Sequence, residues 1–355
     1  MRILLLAHGP SVHTRRWARA LRDRGHELRL LTAHGSPSPE VPERVVGRPY
    51  PVPALRYLSA LPAVREETRA FRPDVTVAHF LPNYGLLAAL SGARAWMLAC
   101  WGSDLLVNAH RSPLHRARAR WVLRRAPLVH VDARVLASAA VALGAPPGRV
   151  WTRAWGVDVA ALAAPHDGGE GGPIRILWTR QLEAIYDPEP FVRALGALKR
   201  RGLPFRASMA GDGPMRERVS AWIAEEDLMR EVTLEGFVNE ERLSALYRQS
   251  DVYVSASRSD STSQSLLEAM AAGLLPIVTD IAGNCEWVTH RREGYLVPVG
   301  DKDAIACAIA EASREPERRA MAARARARVL AQGSFADTLD QLEERLRGLA
   351  AEGKR

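Results

Sequence analysis

The sequence predicts an α/β protein of two domains, each a parallel sheet wrapped by helices and each Rossmann-like, the two facing a central cleft. Three observations lead there. The chain has 355 residues, enough for two hydrophobic cores. Short apolar runs alternate along it with segments of helical periodicity, the pattern of βαβ units. That alternation stops at Asp167-Gly168-Gly169-Glu170-Gly171-Gly172-Pro173, a flexible composition, and then starts again. The expected division is 1–165 for the first domain, 166–173 for a linker, 174–335 for the second domain and 336–355 for a terminal helix returning toward the first.

In order, 2–7 reads as a buried strand, too short an apolar run for a secretion signal and broken by His8-Gly9-Pro10. A helix is expected over 14–24, with Trp17, Ala18 and Leu21 on one face and Gly25-His26 as its stop. Strands follow at 27–32, 75–78, 96–99 and 128–131, with helices between them. In the second half, strands are expected at 174–178, 205–210, 232–234, 252–254 and 275–279. Helices are expected at 188–200, 215–224, 240–248 and from about Gln264 to a stop at Gly273. Two helical stretches, 302–313 and 315–350, close the chain. Asp301-Lys302-Asp303 precedes the first of these, and helix capping explains it better than metal binding.

Composition narrows the function. Three cysteines, Cys100, Cys285 and Cys307, lie far apart without CxxC spacing, which argues against a disulfide framework or a thiolate metal site and fits a reducing cytoplasm. No apolar run approaches the ~18 residues of a membrane span. The net charge of +9 is uneven: residues 1–165 carry 23 basic and 10 acidic side chains, and the remainder 26 and 30. All basic residues but Lys199, Lys302 and Lys354 are arginine, so the excess reads either as an electrostatic surface or as coding bias. The helix around Arg111–Arg125 interleaves arginine with Leu114, Trp121, Val122 and Leu123. It suits peripheral contact with an anionic membrane, or a plain surface helix. Nucleic-acid binding has no aromatic stacking platform or motif behind it.

The most informative stretch is 255–288. A strand end runs into Ser259-Asp260-Ser261-Thr262-Ser263, where hydroxyls and backbone N–H groups at a helix start form a cradle for an anion such as a diphosphate. Asp260 and Glu268 lie eight positions apart, one on the loop and one in the helix. Such acids suit a hydroxyl-rich ligand better than a core.

Five segments then carry a resemblance: Arg24-Gly25-His26-Glu27, Gly211-Asp212-Gly213-Pro214, Glu235-Gly236-Phe237-Val238, Leu267-Glu268-Ala269-Met270-Ala271-Ala272-Gly273 and Gly294-Tyr295-Leu296-Val297-Pro298. In order and spacing they resemble glycosyltransferases of the two-Rossmann-domain (GT-B) type, family 4. The resemblance implies a retaining, metal-independent transferase with no cofactor, whose nucleotide-sugar donor is a substrate, with UDP favoured over GDP. The family carries two glutamates eight positions apart. Glu268 matches the second, which grips the donor ribose. Asp260 stands at the first, which contacts the donor sugar, and Ser-Thr-Ser follows it in place of the family's Gly-Phe-Gly; Asp260 also reads as a turn acid.

By the same resemblance Arg180 would pair with the diphosphate, while the lysine expected five residues on is Ile185, followed by Tyr186-Asp187. Ser261, Thr262, Ser263, Gly211, Phe237 and Glu286 complete the expected donor site, Glu286 reading alternatively as a cap of the next helix. Gly9, Pro10 and His13 would form a loop near the phosphates and acceptor, and His79 and Asp104 would act on the acceptor side. The acceptor would be lipid-linked or a small metabolite, and the protein cytoplasmic or peripheral at the inner membrane face. Two rival readings are a nucleotide-sugar epimerase on the same architecture and a non-catalytic sugar-nucleotide-binding subunit.

Overall fold

In the computed structural model the apolar runs become strands covered on both faces, as parallel sheets require. The structure describes residues 1–34, 43–48, 50, 53–162, 172–314 and 317–353. The expected linker therefore lies outside the described residues as far as 171. By packing, the chain divides into one unit of Met1–Ala154 with Asp337–Arg355 and another of Trp155–Ala336. Residues 155–162, assigned to the first domain on sequence, thus group with the second.

The first unit holds β1 (Arg2–Leu6), α1 (Val12–Asp23), β2 (Glu27–Thr32), β3 (Glu43–Val45), α2 (Pro53–Phe71), β4 (Val75–His79) and α3 (Leu86–Ser91). There follow β5 (Trp96–Ala99), α4 (Ser103–Leu106), α5 (Pro113–Arg125), β6 (Leu128–Val131), α6 (Arg134–Ala142) and β7 (Val150–Thr152). The sheet order is β3-β2-β1-β4-β5-β6-β7, all parallel. Every side chain of β4, β5 and β6 is buried, which is why these strands read as mainly apolar runs, with Thr76, His79 and His130 as their polar members. Their core includes Leu4, Leu6, Leu98, Val129 and Leu136.

The second unit holds β8 (Ile174–Trp178), α7 (Pro188–Arg200), β9 (Phe205–Ala210), α8 (Arg216–Glu225), β10 (Val232–Gly236), α9 (Glu240–Arg248) and β11 (Val252–Ser255). It continues through α10 (Gln264–Ala271), β12 (Leu275–Thr279), α11 (Ala282–Cys285), β13 (Tyr295–Val297), α12 (Lys302–Ala312) and α13 (Glu317–Gln332). The order is β10-β9-β8-β11-β12-β13, again parallel throughout. In both sheets the first strand of the unit lies between the second and a later one. Connections leave it in opposite directions, and ligands in such sheets bind beyond the carboxyl ends at that switch point. Here these are β1 and β4 in the first unit, β8 and β11 in the second.

The last helix, α14 (Phe335–Gly353), corrects the expectation of continuous helix over 315–350. Gly333 and buried Ser334 interrupt it, Ser334 pairing in a bridge with Val157. The Arg24-Gly25-His26-Glu27 segment explains itself at α14: Arg24 binds Asp340 at 2.6 Å and His26 Nε2 lies 3.0 Å from Glu343. Gly25, at φ 80°, supplies the left-handed turn that ends α1. Asp301 caps α12, accepting from the N–H groups of Asp303 and Ala304 at 3.0 and 2.9 Å. Among the described residues no helix is long and apolar enough to cross a membrane.

Candidate active site

In the second unit, the loops after β8 and β11 bring Arg180, Asp260 and Ser263 together. Arg180 Nη2 lies 2.5 Å from Asp260 Oδ2, and Nη1 donates to Ser263 Oγ at 2.8 Å. Burial alone would lower the guanidinium pKa; the Asp260 carboxylate overrides it and holds the group above its ordinary value. The Arg180 Nε is buried and has no hydrogen-bond partner. On one face of the guanidinium stands the Tyr186 ring, its centroid 4.1 Å from Cζ.

Ser263 is the N-cap of α10, its Oγ accepting from Leu266 N–H at 3.3 Å. Asp260 Oδ1 accepts from Ser261 N–H at 2.9 Å. A carboxylate thus sits where an arginine and the start of a helix converge, both positive features. Ser261, Thr262 and Ser263 are all buried. Gly283 of α11 supports this loop: a Cβ there would lie 1.7 Å from the Ser261 carbonyl oxygen.

Glu268 lies within α10, on the second turn, where Tyr247 OH of α9 donates to its Oε2 at 3.0 Å. Burial first and the Glu268 charge second push the Tyr247 phenol far up, so it stays a donor. Ser265 Oγ donates to the Thr179 carbonyl at 3.0 Å, fastening α10 to the loop that carries Arg180. Gly211 packs against the same loop. At φ 149° its missing Cβ leaves room for the Arg180 carbonyl, which a Cβ would meet at 2.2 Å. Trp178 Nε1 donates to that same carbonyl at 2.9 Å.

Phe237, expected at the donor site, follows β10 with 86% of its surface exposed. Glu286 closes α11 at its carboxyl end, so it does not cap a following helix. Its carbonyl accepts from Arg328 at 2.9 Å.

In the first unit, Gly9 N–H donates to Thr32 Oγ1 at 3.0 Å and the Gly9 carbonyl accepts from Arg15 at 3.2 Å. Pro10 is exposed beside them. His79, at the end of β4, is buried among rings: Trp101 at 5.3 Å, Trp17 at 5.8 Å and, beyond them, His13 and His130. Burial, then the charges of His130 and His13, push its pKa down to about 3, so the imidazole is neutral. Burial likewise lowers His13, with Arg16 adding to the effect; its ring lies 5.3 Å from Trp101.

Asp104 lies wholly inside, accepting from Leu81, Trp101 and Leu105 N–H groups at 3.1, 3.0 and 3.1 Å. Burial raises its pKa in spite of those bonds. Its carboxylate ties the π-helical turn after β4 (Phe80–Gly85) to the loop carrying Trp101, and it is 0% exposed. Phe80 itself sits at φ 75°, a strained conformation for a bulky residue directly after His79. An open hollow of about 500 Å³ lined by Arg19, Arg22, Asp23, Gly25, His26 and Glu27 lies at the amino end of β2, the wrong end of the sheet for this chemistry.

The sequence does not single out Tyr247, and it points to Trp101 and Tyr186 only as neighbours of Asp104 and Ile185. Aromatic side chains at helical or turn positions carry no signal separating core from site. Among the described residues no three His, Cys, Asp or Glu side chains gather as a metal site would require.

The family described as Glycosyl transferases group 1 matches residues 168–328, and that described as Glycosyl transferase 4-like domain matches residues 8–156. A putative colanic acid biosynthesis glycosyltransferase, WcaL of Salmonella typhimurium, is 28% identical over 72% of this chain. The match covers 65% of that protein, so the chain spans less than two thirds of that relative's length. A GDP-mannose-dependent alpha-mannosyltransferase of Mycobacterium tuberculosis is 29% identical over 83% of this chain and 76% of its own length. Among solved structures, Anabaena HepE in complex with UDP superposes with a TM-score of 0.83 at 18% identity, covering 98% of this chain and all of that one. The two matched families between them take in both units, each with its parallel sheet, and the chain belongs to the GT4-type glycosyltransferases of the GT-B fold.

Proposed function

We propose that this chain transfers a sugar from a nucleoside diphosphate sugar to an acceptor hydroxyl, without a metal ion and with retention at the anomeric carbon. The observation that supports it most is the convergence of Arg180, the α10 start and Glu268 beyond the carboxyl ends of β8 and β11. Glu268, oriented by Tyr247, suits the two ribose hydroxyls, which donate to a carboxylate. The Arg180 guanidinium and the N–H groups at the start of α10 suit the diphosphate. As the bond from anomeric carbon to phosphate oxygen lengthens, negative charge grows on the diphosphate and the sugar becomes oxocarbenium-like. A fixed cation and helix start stabilise that charge more than the ground state, which is how they accelerate transfer.

Asp260 would face the donor sugar, its acidic side chain one methylene shorter than glutamate. The acceptor would sit on the first unit near Gly9, His13 and Trp101, on a loop that Asp104 holds in place. Neutral His79 would shape that surface from beneath. Helix α5, with Leu114 77% exposed among arginines, supports a lipid-linked acceptor delivered from an anionic surface. For the base we keep uracil ahead of guanine; HepE was solved with UDP, whereas the mycobacterial relative is named for GDP-mannose. A calorimetric panel of UDP-, GDP- and ADP-sugars tests the donor, and NMR of the product's anomeric proton tests retention. An inverted product, or donor conversion with no acceptor present, would overturn the transferase reading in its present form.

A further inference from the structure

We propose that Tyr186 is a positioning residue for Arg180, fixing the plane of the guanidinium so that a single side-chain cation meets the diphosphate; this rests on the donor-site reading above. Three sides of the group are accounted for. Nη2 is held by Asp260, Nη1 by Ser263, and one face by the Tyr186 ring at 4.1 Å. The guanidinium's Nε remains buried with no hydrogen-bond partner. A clamp of this kind is what a flexible arginine needs to present one chosen edge, because its own rotamer freedom would otherwise be lost on binding.

The turn that carries the ring is itself tied down. Arg258 N–H donates to the Ile185 carbonyl at 2.9 Å, and the Arg258 side chain binds Asp187 at 2.7 Å. Asp187 takes φ 48°, an uncommon backbone for a non-glycine residue, as it turns the chain into α7 at Pro188. The tie between segments 185–187 and 258–260 thus fixes Tyr186 and Asp260 with respect to each other, one on each side of Arg180. The segment contributes no second cation: its charged members, Glu183 and Asp187, are acidic, and Arg258 is paired with Asp187. Glu183, Asp187 and Asp260 would repel a diphosphate, so its attraction falls on Arg180 and the α10 N–H groups, and the orientation of Arg180 decides it.

The test titrates UDP, GDP and ADP, and the corresponding monophosphates, into the full chain and into Tyr186→Phe, Tyr186→Leu and Tyr186→Gln variants. A cation over an aromatic face predicts that Phe holds diphosphate affinity within about three-fold, while Leu and Gln each weaken it about ten-fold. The loss should be confined to the diphosphate. Monophosphate affinity, set by Glu268 and the base, should stay put, so the di- to monophosphate ratio falls in the Leu and Gln variants. A general loosening of the loop would lower both ligands alike, and that result overturns the proposal. So does a Leu and a Gln variant that both bind the diphosphate like the unmodified chain. An unmodified chain that binds none of the three diphosphates overturns the donor-site reading and this clamp together, which separates the two failures.

Discussion

Arg180 and Glu268 are each oriented by a neighbour whose own place comes from the core, and that division of labour yields the sharpest expectations. Replacing Glu268 by Ala removes the carboxylate proposed to accept from the ribose while leaving α10, whose buried face includes Leu266, Leu267, Ala269 and Met270. Nucleoside diphosphate affinity should fall by at least ~10-fold, the worth of a hydrogen bond to a charged group, with the melting midpoint little changed. Tyr247→Phe should weaken binding less, by roughly 3- to 10-fold, since it removes the hydroxyl that orients Glu268 but not the carboxylate. Equal affinity in Glu268→Ala by calorimetry would refute the ribose role. Asp260 and Glu268 stood out in the sequence because acids beside a strand end and a helix start suit a ligand better than a core, whereas Arg180 stood out only through the family resemblance; the structure brings Arg180 and Asp260 together. Tyr247 did not stand out, since an aromatic ring in a helix is ordinarily core. Asp104 was read as acting on the acceptor, and three backbone N–H groups around it could not be foreseen from spacing.

At the level of elements, the loop 259–263 depends on α11 beneath it. Gly283→Ala would drive a Cβ into the Ser261 carbonyl, so the loop must shift; we expect about 1–3 kcal/mol of lost stability and weaker diphosphate binding. Normal binding in that variant would show that the loop tolerates the displacement. Helix α14 offers a second expectation. Burial raises the Glu343 pKa, but the hydrogen bond and charge of His26, with Arg24 and Arg347, bring it below the ordinary 4.5. A depressed carboxylate stabilises the fold above its unfolded value and loses that contribution as pH falls through its folded value. Glu343→Gln should therefore lower the melting midpoint at pH 7, and the gap to the unmodified chain should close below about pH 4.5. A gap that persists in acid would refute the ionic origin. Strands such as 96–99 and 275–279 were readable as short, mainly apolar runs buried throughout, and 27–32 as an alternation of exposed and buried positions that runs into the apolar pair Leu30-Leu31. Strands β3, β7 and β13 have three residues each, too few for any periodicity, and the break at Gly333-Ser334 is set by its pairing with Val157.

For the whole molecule, the restart of the βαβ pattern made two domains legible, while the spatial order of strands came only with the structure. Strand order depends on which edges pair, and the run of elements along the chain does not state it. The first unit carries its own pH signature. Burial is the main reason His79 and His130 titrate far below 6.5, at about 3 and about 4. Below pH 6.5 the unfolded chain binds protons that these rings refuse, so stability falls with pH, on the order of 1 kcal/mol per pH unit for each ring. Denaturant unfolding between pH 7.5 and 5 should show this slope, and replacing His79 by Phe should reduce it. The most direct test of the central claim is calorimetric titration of UDP, GDP and ADP into the intact chain and into Glu268→Ala. The account predicts that one nucleoside diphosphate binds the unmodified chain and that Glu268→Ala loses it with its fold intact; binding that Glu268→Ala leaves undiminished, or no binding of any of the three, would contradict it.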